Sequence, residues 1–142
     1  MVNEAIAESD PGICKALYDA GLCANETYIT KVEAQAIVAE DLYTGTFPNS
    51  SNSIFYSQRS NIKNFEGFKY FTGVTKLPNG MLEGWSKIES IDIPESVVSI
   101  GSSIFSGNNS LKKIKFPRSI KTLGANLEVP TNCAVYLPDL QA

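Results

Sequence analysis

Asp92 and Glu95, three residues apart, and Asp139 near the end are the side chains best placed by type and spacing to do chemistry. Two carboxylates in unlike surroundings can divide general-acid and general-base work. The rest of the chain offers them little help. It has no His, the side chain most used for proton transfer near neutral pH and for transition-metal ligation. Cys14, Cys23 and Cys133 are too widely spaced for a CxxC metal or redox motif. Cys14 and Cys23 either form a disulfide or, the simpler expectation, stay as small buried thiols, and an odd count leaves one Cys unpaired in a monomer. Paired acids in loops are mostly solvated, so the expectation is a chain that is not an enzyme and uses no cofactor or metal.

A second chemically distinctive group is basic. Lys112, Lys113, Lys115, Arg118 and Lys121 crowd one stretch of a chain whose formal net charge is −3. Such a cluster either attracts an acidic partner or is a solvated face neutralised by its neighbours, and the second reading is the simpler. The overall negative charge argues against nucleic acid, whose phosphates supply most non-specific binding. With 43% hydrophobic and 19% charged residues the composition is that of an ordinary globular chain, and no apolar run approaches the ~20 residues that span a bilayer. Glycosylation sequons at Asn25, Asn49 and Asn108 are short enough to arise by chance.

The elements that position these residues follow from an internal repeat. Ile88-Glu-Ser-Ile91-Asp-Ile93-Pro94-Glu-Ser-Val97-Val-Ser-Ile100-Gly is matched by Leu111-Lys-Lys-Ile114-Lys-Phe116-Pro117-Arg-Ser-Ile120-Lys-Thr-Leu123-Gly, a shift of 111 − 88 = 23 residues. A more degenerate copy begins near Val74. A repeat of this length is the mark of a solenoid, in which each unit buries its apolar face only against its neighbours. Parallel strands are expected near 89–93, 112–116 and 134–137, ended by Pro94 and Pro117, with Ile91 against Ile114 and a second short extended stretch in each unit. The same shift carries Glu89 to Lys112, Asp92 to Lys115 and Glu95 to Arg118, which predicts a ladder of opposite charges across the sheet. By alternation Ser90, Asp92, Lys113, Lys115 and Tyr136 point away from the core, and this face is the candidate binding surface.

Before the repeats, Ser9 or Asp10, Pro11 and Gly21 mark the ends of a helix over 9–21 with an apolar stripe at Ile13, Ala16, Leu17 and Ala20. Thr30 and Glu33 have capping-box spacing and open a second helix through Ala39. Residues 44–53 read as loop, 54–56 and 61–65 as short strands, and the aromatics of Phe65 to Phe71 as a plug for the open end of the solenoid. Residues 1–60 therefore form a helical cap and connecting loop, and 61–142 the repeats with a C-terminal cap, in one continuous structural domain.

Ile91-Asp-Ile-Pro-Glu-Ser-Val97-Val-Ser-Ile-Gly-Ser-Ser-Ile-Phe105 resembles the BspA-like leucine-rich repeat, departing at Ile104 where that family usually has Ala. The resemblance spans 74 to 138 and implies an α/β right-handed leucine-rich-repeat solenoid with a small N-terminal helical cap. It also implies a bacterial secreted or surface-attached protein that binds a protein or glycan, or adheres. No leader-like segment follows Met1, so the chain is either cytoplasmic or a mature segment, and the resemblance favours the second. Asp10-Pro11 with Cys14, Ile29 to Ala34, and Tyr70 to Thr75 further resemble the stretch preceding such repeats, where relatives carry a calcium-loop pattern. Here Leu22 and Ala24 occupy the early ligand positions, so that loop is expected to be metal-free. The expected function is non-enzymatic binding through the solenoid face; the alternative is a structural spacer or a fragment of a longer array.

Overall fold

The structure is a computed structural model and describes residues 4–6, 10–44, 52–125, 127, 129–130 and 133–136. Helix α1 (Pro11–Asp19) starts because the Asp10 carboxylate accepts the Gly12 amide at 2.8 Å and Pro11 lacks the amide that would go unpaired. It stops where Gly21 turns left-handed at φ 77°, letting the Leu22 amide bond the Leu17 carbonyl at 2.9 Å. Its inner face buries Ile13, Cys14, Ala16 and Leu17.

Helix α2 (Lys31–Ala36) has the expected capping box but ends before Ala39. Ile37 leaves the helix in an extended conformation that buries its side chain, and the Asp41 carboxylate takes the Val38 amide at 3.0 Å to start a 3-10 turn over Ala39–Leu42. The strand expected at 54–56 is likewise a turn running into a 3-10 segment, Tyr56–Gln58. The Ser53 hydroxyl captures the Phe55 amide at 3.1 Å, removing it from any ladder, while Phe55 itself is fully buried. Of the loop at 44–53, residues 45–51 lie outside the described part, as do Ser9, Asn49, Leu137, Pro138 and Asp139.

From residue 64 onward two parallel sheets alternate along the chain. One orders β1 (Asn64–Phe65), β3 (Ser90–Asp92), β5 (Lys113–Lys115) and β7 (Ala134–Tyr136); the other orders β2 (Lys76–Leu77), β4 (Ser99–Ile100) and β6 (Thr122–Leu123). Ser90 pairs with Lys113 and Ser99 with Thr122, both 23 residues on, so the sequence repeat is the pitch of the solenoid. Ile91 faces Ile114 in register, and both are fully buried. Apolar residues from both sheets and from the N-terminal helices join one core.

Polar side chains bind one turn to the next. The hydroxyls of Ser96 and Ser119, one repeat apart, reach carbonyls of the preceding turn, Ser96 donating to Val74 and Ser119 having its one hydrogen to give to either Glu95 or Val97. Asn108, almost wholly buried, donates to the Leu82 and Trp85 carbonyls at 2.7 and 3.2 Å, an interior role for the Asn of a sequon. At the N-terminal end, Phe65, Phe68 and Phe71 are buried together with ring centroids 4.3 to 5.6 Å apart, joined by Phe55 and Trp85. These rings form the expected plug. Asp10 completes it: beyond capping α1, its second oxygen accepts the Lys63 and Asn64 amides at 3.0 and 3.2 Å, occupying the free edge of β1.

Candidate functional site

The polar face of the four-stranded sheet carries two rows. Asn64, Ser90, Lys113 and Ala134 form one; Asp92, Lys115 and Tyr136 form the other. The register therefore sets all five residues expected to share a face on the same side of the sheet. Their exposure differs from expectation at one position. Tyr136 is 53% exposed and Lys115 exposed, but Asp92 is only 7% exposed. The 3-10 segment Glu66–Tyr70, which follows β1 directly, folds over this end of the sheet and covers it.

That segment also rewires the charges. The strand register does set Asp92 beside Lys115, as the charge ladder requires. The close ion pairs on the face nevertheless run to Glu66–Tyr70: Lys113 Nζ lies 3.4 Å from a Glu66 oxygen and Lys69 Nζ 4.0 Å from Asp92 Oδ2. Glu95 meets Arg118 through its backbone amide, at 3.1 Å, rather than through its guanidinium. The ladder thus holds in register while its long side chains find other partners. Lys113 additionally places its ammonium 5.8 Å from the Tyr136 ring centre.

These neighbours tune two carboxyls in opposite directions. Burial raises the Asp92 pKa above the usual carboxylate value, outweighing the fields of Lys113, Lys69 and Lys115, and Glu66 pushes the same way as burial. The Asn64 side chain, bonded to Glu66, and the Lys113 ammonium hold the Glu66 pKa below its usual value against partial burial. Asp92 Oδ1 is buried and has no hydrogen-bond partner in the protein. Beside it opens a hollow of about 160 Å³ lined by Lys69, Asp92, Ile93, Glu95, Lys115 and Phe116.

The two acids that could have formed a catalytic pair do share this hollow. Only Asp92 is desolvated, however, and one Glu95 oxygen is committed to the Arg118 amide. Glu66, Lys69 and Phe116 are the residues the strand-face reading missed. A signal for Lys69 existed: residues 69, 92 and 115 are spaced at the repeat interval, so carrying the charge ladder one period upstream of Asp92 lands on it.

At residues 22–33, Glu33 uses both carboxylate oxygens within the loop. One accepts the Ala24 amide at 2.8 Å and the other the Thr30 amide and hydroxyl at 3.0 Å. Among the described residues no group of three or more Cys, Asp or Glu side chains is arranged to hold a metal ion, and Cys14, Cys23 and Cys133 are not joined by disulfides, the first two being buried.

A parallel solenoid of this pitch, with Pro94 and Pro117 shortly after β3 and β5 and with Ser96 and Ser119 tied to the preceding turn, has a counterpart among known families. The description of the BspA-type leucine-rich repeat region matches residues 28–129, in six copies. The chain belongs to that family. The matched region begins well upstream of Val74, where repeats first become legible by eye, and so includes α2 and the aromatic plug of this BspA-type chain. No curated protein and no solved structure matches it. Among its described residues no helix is long and apolar enough to cross a membrane.

Proposed function

We propose that this BspA-type chain is a non-enzymatic binding module, secreted or carried at a cell surface, that recognises a protein or glycan through the polar face of its four-stranded sheet. The observation that supports this reading is the strand register that sets Ser90, Lys113, Lys115 and Tyr136 on one side of the sheet with Asp92 recessed beside them, giving both signs of charge and an exposed aromatic ring. Such a composition suits polar recognition, and solenoids present extended faces for it. Membership of a repeat family used widely as an interaction scaffold supports the general role.

The test is a binding array of extracellular-matrix proteins and polysaccharides probed with the chain and with the double reversal K113E/K115E. A ligand of this face should lose affinity in the double variant, chiefly through a slower, salt-sensitive association. Unchanged affinity of a captured ligand would remove this face as the binding surface. A structural spacer within a repeat array is the second reading, favoured by the apolar exposure at the last strands: Leu123 is 53% and Val135 42% exposed, whereas their counterparts Ile100 and Ile114 are buried. Absence of any ligand on the array would favour it.

A further inference from the structure

We propose that the hollow beside Asp92 is a subsite for one neutral sugar residue of a glycan, an inference that rests on the sheet face being the binding surface. Its size admits a ligand: about 160 Å³ is far above the ~10–15 Å³ that one water needs, room for a small group of several heavy atoms. Its lining selects against charge. Two ammonium groups, Lys69 and Lys115, and two carboxylates, Asp92 and Glu95, balance one another, so a lone cation or anion gains no net attraction there. A hydroxyl both donates and accepts, so a neutral polyol can use the carboxylates as acceptors and the ammonium groups as donors at once. The apolar remainder of the lining, Ile93 and the half-buried Phe116, offers a surface for the C–H face of a sugar ring.

Asp92 supplies the independent sign that a donor belongs there. It is 7% exposed, its Oδ1 has no partner, and its Oδ2 lies 4.0 Å from Lys69 Nζ, beyond hydrogen-bond length. A buried carboxylate short of donors is costly, and while Oδ1 is sealed from the hollow, a ligand hydroxyl there would supply a donor to the exposed oxygen of the same carboxylate, Oδ2. The position is also stiff: Asp92 sits in β3, the strand held between β1 and β5. Recognition groups on a rigid strand lose little freedom on binding.

The experiment is saturation-transfer NMR on the full chain with the methyl glycosides of glucose, galactose, mannose and N-acetylglucosamine. Each is tested up to about 10 mM, above the millimolar affinity expected of a single small unit. N-acetyl-lysine amide and inorganic sulfate serve as charged comparisons. At least one neutral glycoside should bind, at least about tenfold more weakly to Asp92→Ala and to Glu95→Ala and unchanged in Lys112→Glu. Glu95 is exposed, so its variant keeps the test sound if loss of Asp92 disturbs folding. Three results would overturn the proposal: no glycoside binding, equal binding to both alanine variants, or preferential binding of the lysine amide or sulfate. If the array finds a ligand sensitive to K113E/K115E while no glycoside binds, the subsite falls and the binding face stands.

Discussion

Ile91 and Ile114 lie side by side in adjacent parallel strands, both without solvent exposure, while Val135, next in the same row, is 42% exposed. Identical positions in the repeat are thus worth different amounts. Ile114→Ala should cost on the order of 2–5 kcal/mol, and Val135→Ala less than about 1 kcal/mol. Urea melts of both variants check the gradient, and equal losses would mean that the last strand is as well packed as the inner ones.

Gly101 tests how tightly the turns stack. A Cβ there would lie 2.7 Å from the Asn79 amide nitrogen and 2.9 Å from its Cα, and backbone cannot swing aside as a side-chain tip can. Gly101→Ala should therefore destabilise by roughly 1–3 kcal/mol, the usual cost of overpacking. Thermal unfolding followed by circular dichroism reads the loss.

Asp92 makes stability depend on pH in an uncommon direction. Because its folded pKa is raised, the folded state binds the proton more tightly than the unfolded chain between the unfolded value near 3.8 and the folded value. This residue's contribution consequently declines as pH rises through that window and is constant above it. Asp92→Asn should melt higher than the parent chain at neutral pH, with the gap closing as pH falls toward 3.8. A variant that melts lower at neutral pH would show that Lys69 and Lys113 outweigh desolvation.

Glu33 behaves in the opposite sense. Burial raises its pKa, but hydrogen bonds from Thr30 and Ala24 together outweigh burial and leave it below the ordinary value. Its contribution is present above about pH 4.5 and lost as pH falls through the folded pKa. Thr30→Ala should cost about 1 kcal/mol by removing the cap.

Calcium should leave the melting temperature unchanged, since both Glu33 oxygens already serve the loop and Leu22 and Ala24 offer no side-chain oxygen. Melts with calcium and with chelator compare directly. A rise of several degrees with calcium would mean that the loop reorganises around the ion.

The sequence by itself determined the solenoid, its pitch and its register, because stacking 23-residue units forces equivalent residues into neighbouring strands: Ile91 must meet Ile114 and Asp92 must flank Lys115. It determined α1 and the capping box for the same kind of reason, since Asp10, Pro11, Gly21, Thr30 and Glu33 act on backbone groups within a few residues. Only the tertiary structure decided what lies across from those elements. Asp10 also closing the edge of β1 and Glu66–Tyr70 folding over the sheet depend on partners distant in the chain. So does the burial of Asp92. Alternation fixes which way a strand side chain points, but whether water or another segment meets it there depends on how the chain closes around the sheet, and local periodicity carries no information about that.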